Sequence, residues 1–508
     1  MTLKLSDRPS TPCAAYIQAA PDLLLIRDEL SGTRRMHEQF KLYIPKYKAE
    51  KPENYKRRAT SAKFYGGLSR TLSAANGMLF AKPPEKSKDG WTPEIDDQWE
   101  NLDGRGTGGF VFVKRRSEDA IADGLTVILV DHPQPPKDTV VHAGNEKALN
   151  LRPFWSSYAR ADVLSWRTAT VNNVETLSQV VLRESAYVDD GAFGVLARTR
   201  YRVCRLVGGV ATWQLLEETK NAAGVVEAII SAGTGTFTDR AGAAFDVLPL
   251  AIVYAGRTDA TLTAAPPLLD VAWANLEHWR VATNLRFYED QCCFPQPVIT
   301  GSLAASGATA DGKPIPGQFA MGPTVLVHLT AGSTYDMNEL TGSSLAELRV
   351  SLQEKKDEIS ELGMSFLSKR SRGVETAESK RLDSTAENST LATSGQGVED
   401  GINQALIFHA RYLGVDADHA PSITINRDFE LMKLDAATMA VYVQAVAQAG
   451  MPPRILLQAW QEGGRIAADV DLEELEAELM ANKAAADAQR QAELDAAKTQ
   501  TDPLQQAA

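Results

Sequence analysis

The sequence predicts an α+β chain of several domains, and three observations carry that reading. Its 508 residues suffice for two to four domains at about 150 residues each. A helix-rich opening is followed over 162–254 by a strand-rich stretch. From Pro266 onward the pattern is helical again, broken once by a glycine-rich excursion and once by a long polar run. With 44% apolar and 23% charged residues the composition is that of an ordinary folded protein.

Residues 21–80 read as helical. Tyr55, Phe64, Leu68 and Leu72 fall near a 3.6-residue period, and Gly77 with Pro83 and Pro84 closes the segment. A helix near 108–122 leads into LTVILVDHPQPP, a β-rich strand ended by prolines, and 133–152 reads as a polar loop. Strands follow in DVLSWRTATV, VETLSQVVLRES, ARTRYRVCRLVGG and VATWQLLEET, and VLPLAIVYAG closes the series.

Pro266 and Pro267 suit the first turn of a helix that Pro295 and Pro297 end. Leu269, Trp273, Leu276, Trp279, Leu285 and Tyr288 give it an interrupted apolar stripe. Residues 294–342 differ sharply: seven of the 49 are glycine and four are charged, too little for a core of their own. PVITG and TVLVHL (324–329) read there as strands that pair. A second helix is expected to start in a capping box at Ser344 and Glu347, with Leu345, Leu348, Leu352, Ile359, Leu362 and Phe366 in a narrow stripe. After KRSR comes ETAESKRLDSTAENSTLATSGQG, in which few residues are large and apolar. Val398, Ile402, Leu406, Ala410 and Leu413 then share one face. The chain end, 431–508, reads as alanine-rich and helical with LEELEAEL as its strongest segment, and the last 25 or so residues as frayed.

Little chemistry is encoded. Neither a phosphate-binding P-loop nor a zinc, calcium or nucleophile-elbow motif occurs, so the sequence predicts no catalytic, cofactor-binding or metal-binding residues and no enzyme. RGTGGF (105–110) and GTGTF (233–237) read as turns rather than phosphate cradles. Asp416 with Asp418, and Asp469 with Asp471, read as solvated charges, and His278 and His328 as structural. The cysteines, at 13, 204, 292 and 293, read as reduced apolar fillers. No window approaches the roughly 18 apolar residues of a membrane span, and MTLKLSDRPSTP lacks a secretory pattern, so assembly in a cytoplasm is expected. A net charge of −12 argues against gripping nucleic acid by neutralising phosphates, though not against letting it slide past. KRSR (369–372) has two readings: cations at a helix C-terminus, or a loop aimed at a polyanion.

A long helix without an apolar stripe bridges solvent or packs against copies of itself around a wet lumen. In the polar run Ala377, Ser379, Ser384, Ala386 and Ser389 allow close approach, and a head-to-tail contact repeated by rotation closes a ring.

In the order of its parts the chain resembles the portal proteins of tailed double-stranded DNA bacteriophages. The resemblance runs from NYKRRATSAKFYGGLSRTLSAANGMLFAKPPE through PPLLDVAWANLEHWRVATNLRFYEDQ and the glycine-rich excursion. It continues through YDMNELTGSSLAELRVSLQEKKDEISELGMSFL to ETAESKRLDSTAENSTLATSGQGVEDGINQALIFHARYLG, and covers roughly residues 21–430. It implies an α+β wing (1–265 and 373–430), stem helices at 266–293 and 343–367, and a clip at 294–342. It further implies a tunnel loop at 368–372, with Ser368, Lys369, Arg370, Ser371 and Arg372 facing DNA, and a crown and tail at 431–508. The implied function is a ring, usually of twelve subunits, at one capsid vertex, assembled in the host bacterial cytoplasm. Double-stranded DNA would be packaged and ejected through it without sequence readout. The implied partners are the terminase large subunit, head-completion or adaptor proteins, the major capsid protein and scaffolding protein, with no cofactor and no membrane. Two other readings remain: a different ring-forming head–tail connector, or an enzyme with dispersed catalytic residues.

Overall fold

The computed structural model describes residues 4, 7–133, 148–171, 173–221, 226–258, 260–293, 296–301, 307–308, 311, 314–315, 329–338, 343–367, 390–427, 454, 457–458, 461 and 470–500. They fall into two compact units, Met1–Arg427 and Asp428–Ala508. The first is a mixed α+β unit.

It opens with helices α1 (Ala14–Leu30), α2 (Thr33–Glu38), α3 (Phe40–Tyr43), α4 (Pro52–Ala59) and α5 (Gly67–Leu79). The four periodic residues Tyr55, Phe64, Leu68 and Leu72 are all buried, but they do not share one helix: the chain leaves α4 at Thr60 and re-enters helix at Gly67. Gly77 sits inside α5, which runs on to Leu79. After the two-residue strand β1 (Glu85–Lys86) come α6 (Pro93–Trp99) and α7 (Gly109–Asp123).

Strand β2 (Leu125–Asp131) is the middle of a three-stranded antiparallel sheet, flanked by β3 (Phe154–Ala159) and β9 (Leu250–Tyr254). LTVILV is buried at every position, the signature of a strand covered on both faces. A meander of β4 (Val163–Val171), β5 (Val174–Asp190), β6 (Gly194–Val207), β7 (Val210–Lys220) and β8 (Val226–Thr236) forms a second, five-stranded sheet. Gly208 and Gly209, at φ 59° and 80°, form the two-residue turn between Val207 and Val210; both positions need the left-handed region that glycine enters without strain. Leu164, Val181, Tyr201 and Val203 make this sheet's own core, with Tyr16 of α1 packed on it. The strand pattern had no reading for β3 or β8, whose segments FWSSYA and VEAIISAGTGT are short of β-branched alternation.

Helix α8 (Leu269–Cys293) follows, starting two residues beyond Pro267. In the excursion, β10 (Gln296–Thr300) pairs antiparallel with β13 (Thr334–Asn338), and β11 (Gly307–Ala308) with β12 (Pro314–Ile315). PVITG is thus paired with TYDMN, Pro297 facing Met337 and Ile299 facing Tyr335, while TVLVHL, the partner expected from the sequence, lies outside the described residues but for Leu329. TYDMN alternates weakly in hydrophobicity, so pattern alone does not mark it as a strand. Helix α9 (Ser343–Leu367) begins one residue before the serine expected to cap it.

Helix α10 (Thr390–Tyr412) lies across β9 and packs on β2 and α7, and β14 (Ile423–Thr424) closes the unit by pairing with β1. Val398, Ile402, Leu406 and Ala410 are buried as their spacing predicts. Ser394 and Gly395 of the TSGQG stretch are buried too, and an added Cβ would sit 2.3 Å from the Tyr254 carbonyl oxygen at Gly397 and 2.6 Å from Val253 Cα at Gly401. These small residues bring α10 against a strand of the same chain. The rest of the polar run, 368–389, lies outside the described residues.

In the second unit α11 runs from Leu472 to Gln500. Asp471 caps it, its Oδ1 accepting from the Glu473 amide at 2.8 Å. Continuous helix to Gln500 replaces the frayed end expected there, because Ala, Glu, Gln and Lys dominate these turns and are strong helix formers.

Candidate assembly surface

Helices α8 and α9 each have 25 residues, about 38 Å of rod. They are bound to each other by cross-pairs: Lys355 reaches Glu277 at 2.6 Å and Arg349 reaches Glu289 at 2.9 Å, in the order that antiparallel packing requires.

The first two-thirds of α8 is anchored in the unit. Val271, Leu276, Trp279 and Leu285 are buried. The Trp279 ring meets Phe64 edge-on and stacks on His37. Arg280 donates to the Tyr43 carbonyl at 2.9 Å, and Arg58 to Asn284 Oδ1 at 3.2 Å. Trp273 and Tyr288, two residues of the predicted stripe, instead point outward, at 46% and 48% exposure.

Helix α9 is scarcely anchored. Among its described side chains the one large apolar group fully buried is Ile359, at 3% exposure. Leu345, Leu348, Leu352 and Leu362 are half-buried, and Val350 is 58% exposed. A rod of this length is marginal in water without a packed face, so more of that stripe requires a partner surface.

Where α1 and α8 meet lies a buried polar group. Glu29 Oε2 accepts from Asn275 Nδ2 at 3.1 Å, while Glu29 Oε1 and Asn275 Oδ1 have no partner among the described residues. Burial pushes the Glu29 carboxyl up to about 9 against the opposing Asn275 hydrogen bond. His278, on the next turn, has neither ring nitrogen bonded, and burial with the Lys356 charge pushes it down to about 4. Its structural reading fits: a neutral ring packed on Tyr65.

A second exposed apolar feature lies on the five-stranded sheet. Strand β4 covers β5 only as far as Leu182, and β7 covers β6 only from Arg200. Beyond these points β5 and β6 continue as a two-stranded ribbon carrying exposed Tyr187, Phe193, Val195 and Leu196. Lone ribbons are at best marginally stable in water. Its tip, DDGAFG, offered no sequence signal beyond a turn.

The other sequence candidates resolve as follows. Ser368, Lys369, Arg370, Ser371 and Arg372 lie outside the described residues, as do His328 and Asp469. In the RGTGGF loop Gly109 is pressed against the Trp99 ring, and Asp103 Oδ1 accepts from the Arg105 and Thr107 amides, so this glycine makes room for an aromatic side chain. GTGTF begins inside β8, where Gly233 lies on Trp213. Asp416 precedes, and Asp418 lies within, a single 3-10 turn (Ala417–His419). Cys13, Cys204 and Cys292 are free thiols, and burial pushes Cys204 up to about 12. No helix among the described residues is long and apolar enough to cross a membrane.

Residues 267–413, from the start of α8 to the end of α10, match a domain of unknown function, DUF4055. No curated protein matches the chain. Among solved structures, the fold is similar to a chain of the virion of a native gene transfer agent particle, at 13% identity over 76% of this chain and 86% of that one, with a TM-score of 0.35. A chain from the neck of the native particle, computed with C12 symmetry, is similar at 10% identity over 80% and 92%, with a TM-score of 0.36. One from the neck of the empty particle, computed with C6 symmetry, is similar at 12% over 82% and 96%, with a TM-score of 0.38. Likeness at this level carries no functional argument by itself.

Proposed function

We propose that this chain is a structural component of the neck of a phage-like particle, and more finely a portal protein. In that reading copies close into a ring at a capsid vertex, and double-stranded DNA enters and leaves through the central channel. Two supports are independent of each other: the order and spacing of segments in the sequence, and the exposure of the α8–α9 pair. The second carries the proposal. Among its described side chains helix α9 fully buries one large apolar group within its own chain, while Trp273, Tyr288 and Val350 are turned outward. Copies arranged around an axis bury these surfaces against each other without further contacts having to be invented.

In the same reading, α8 and α9 are the stem and 294–342 is the clip that docks the terminase motor and later the head-completion proteins. Lys369, Arg370 and Arg372 form the loop nearest DNA. The ring performs no catalysis; a separate ATPase supplies the energy of translocation. A net charge of −12 suits a passage that must not hold DNA, because contacts neutralising several phosphates would bind a moving duplex tightly.

Native mass spectrometry with negative-stain imaging tests this. The purified chain should form a closed ring with a hole wide enough for duplex DNA. Trp273→Glu with Val350→Glu should leave a folded subunit that no longer closes the ring. A wild-type chain that stays solitary at high concentration with α8 and α9 fully helical would refute the proposal.

A further inference from the structure

Between α7, β3 and the base of the β5–β6 ribbon lies a polar cleft of about 520 Å³. Five arginines line it, Arg105, Arg115, Arg116, Arg183 and Arg202, against three carboxylates. Three of the five are paired. Arg202 reaches Glu184 at 2.6 Å and Asp131 at 3.1 Å, and Arg183 reaches Asp162 at 2.9 Å. Arg116 lies 3.0 Å from Asp119 and donates to Ser157 Oγ at 2.6 Å. The remaining lining carboxylate, Asp103, accepts backbone amides of its own loop.

Arg105 and Arg115 are left over: neither side chain makes an ion pair or hydrogen bond among the described residues. Arg116 also retains one unmet group, since its Nε is buried with no acceptor among the described residues. A buried donor of a charged group left unsatisfied is destabilising. Burial, with the Arg115 charge adding to it, pushes the Arg116 guanidinium below its ordinary value. Two guanidinium groups without a partner among the described residues thus line one cleft, together with Thr107, Ser156 and Ser185.

We propose that this cleft binds a phosphoryl group, held by the guanidinium groups of Arg105 and Arg115. Phosphoryl oxygens are charged acceptors set in several directions at once, which suits guanidinium donors arriving from the loop and from α7. The group is either free phosphate or the phosphodiester of a nucleic acid, and this site is independent of the ring reading.

The test uses the full chain at low ionic strength, with inorganic phosphate titrated by calorimetry and its effect on the unfolding midpoint measured alongside. Phosphate should bind and stabilise the wild type more than chloride at equal ionic strength. Arg105→Gln with Arg115→Gln, both on the surface, should weaken binding by about tenfold or more, as loss of roughly 1.4 kcal/mol of contact energy requires. The circular dichroism spectrum should not change. Equal binding by the double variant, or a wild-type response no greater than to chloride, overturns the proposal. A short DNA duplex that competes with phosphate identifies the source as nucleic acid, and failure to compete identifies the free ion.

Discussion

His409 on α10 should make this protein sensitive to acid, and the structure sets the size of the effect. Its imidazole is buried between Trp155 of β3 and Gln98 of α6. The indole N–H, which can only donate, lies 3.1 Å from Nδ1, and Gln98 Oε1 accepts from Nε2 at 2.8 Å. One tautomer is thereby selected, and a second ring proton would have to point at the indole donor. Burial first, with the charges of Arg152 and His132 adding to it, pushes His409 down to about 3 from an ordinary 6.5. The sign follows. A histidine depressed in the folded state contributes stability that is present above its unfolded value and is lost as pH falls from 6.5 toward 3. Each unit in that window is worth about 1.4 kcal/mol, so pH 5 should cost about 2 kcal/mol relative to pH 8. Urea unfolding at the two pH values, for the wild type and for His409→Gln, measures it. The variant should start lower at pH 8 by about 1–3 kcal/mol, from the broken buried network, yet lose about 2 kcal/mol less on acidification. Other titrating groups are common to both proteins and cancel in the difference. Parallel pH dependences would refute the reasoning.

Two further outcomes follow from packing and from the opposite kind of titration. Gly401→Ala should destabilise by about 1–2 kcal/mol, because a Cβ 2.6 Å from Val253 Cα meets strand backbone and outweighs the roughly 1 kcal/mol that alanine gains in a helix. Gly395→Ala meets only the tip of the Leu79 side chain and should be near neutral; a thermal midpoint for Gly401→Ala at or above the wild type would refute the close approach. Glu29 is raised to about 9, so its stabilising contribution is full below 4.5 and is lost as pH climbs toward 9. Glu29→Gln should therefore be more stable than the wild type at pH 8, on the order of 2 kcal/mol, with the gain vanishing near pH 4.5 in urea unfolding.

Period and punctuation alone located α7, the long helices α8 and α9, the buried face of α10 and most of the meander. In each the apolar spacing is strong and a proline, a glycine or a turn pair stands at an end, so local sequence and final packing demand the same thing. Folding decided the rest. Whether Trp273 or Trp279 of the same stripe is buried depends on which face of α8 meets α4 and α5. That PVITG pairs with TYDMN, at the far end of the excursion, is a matter of register that hydrophobicity does not rank. The arginine cleft joins residues from 103 to 202 that no motif links, and the His409 bridge joins residues 98, 155 and 409. Spacing along a chain reports what one element wants to bury; only the assembled fold fixes which groups, distant in sequence, share a low-dielectric space and must answer one another's charge.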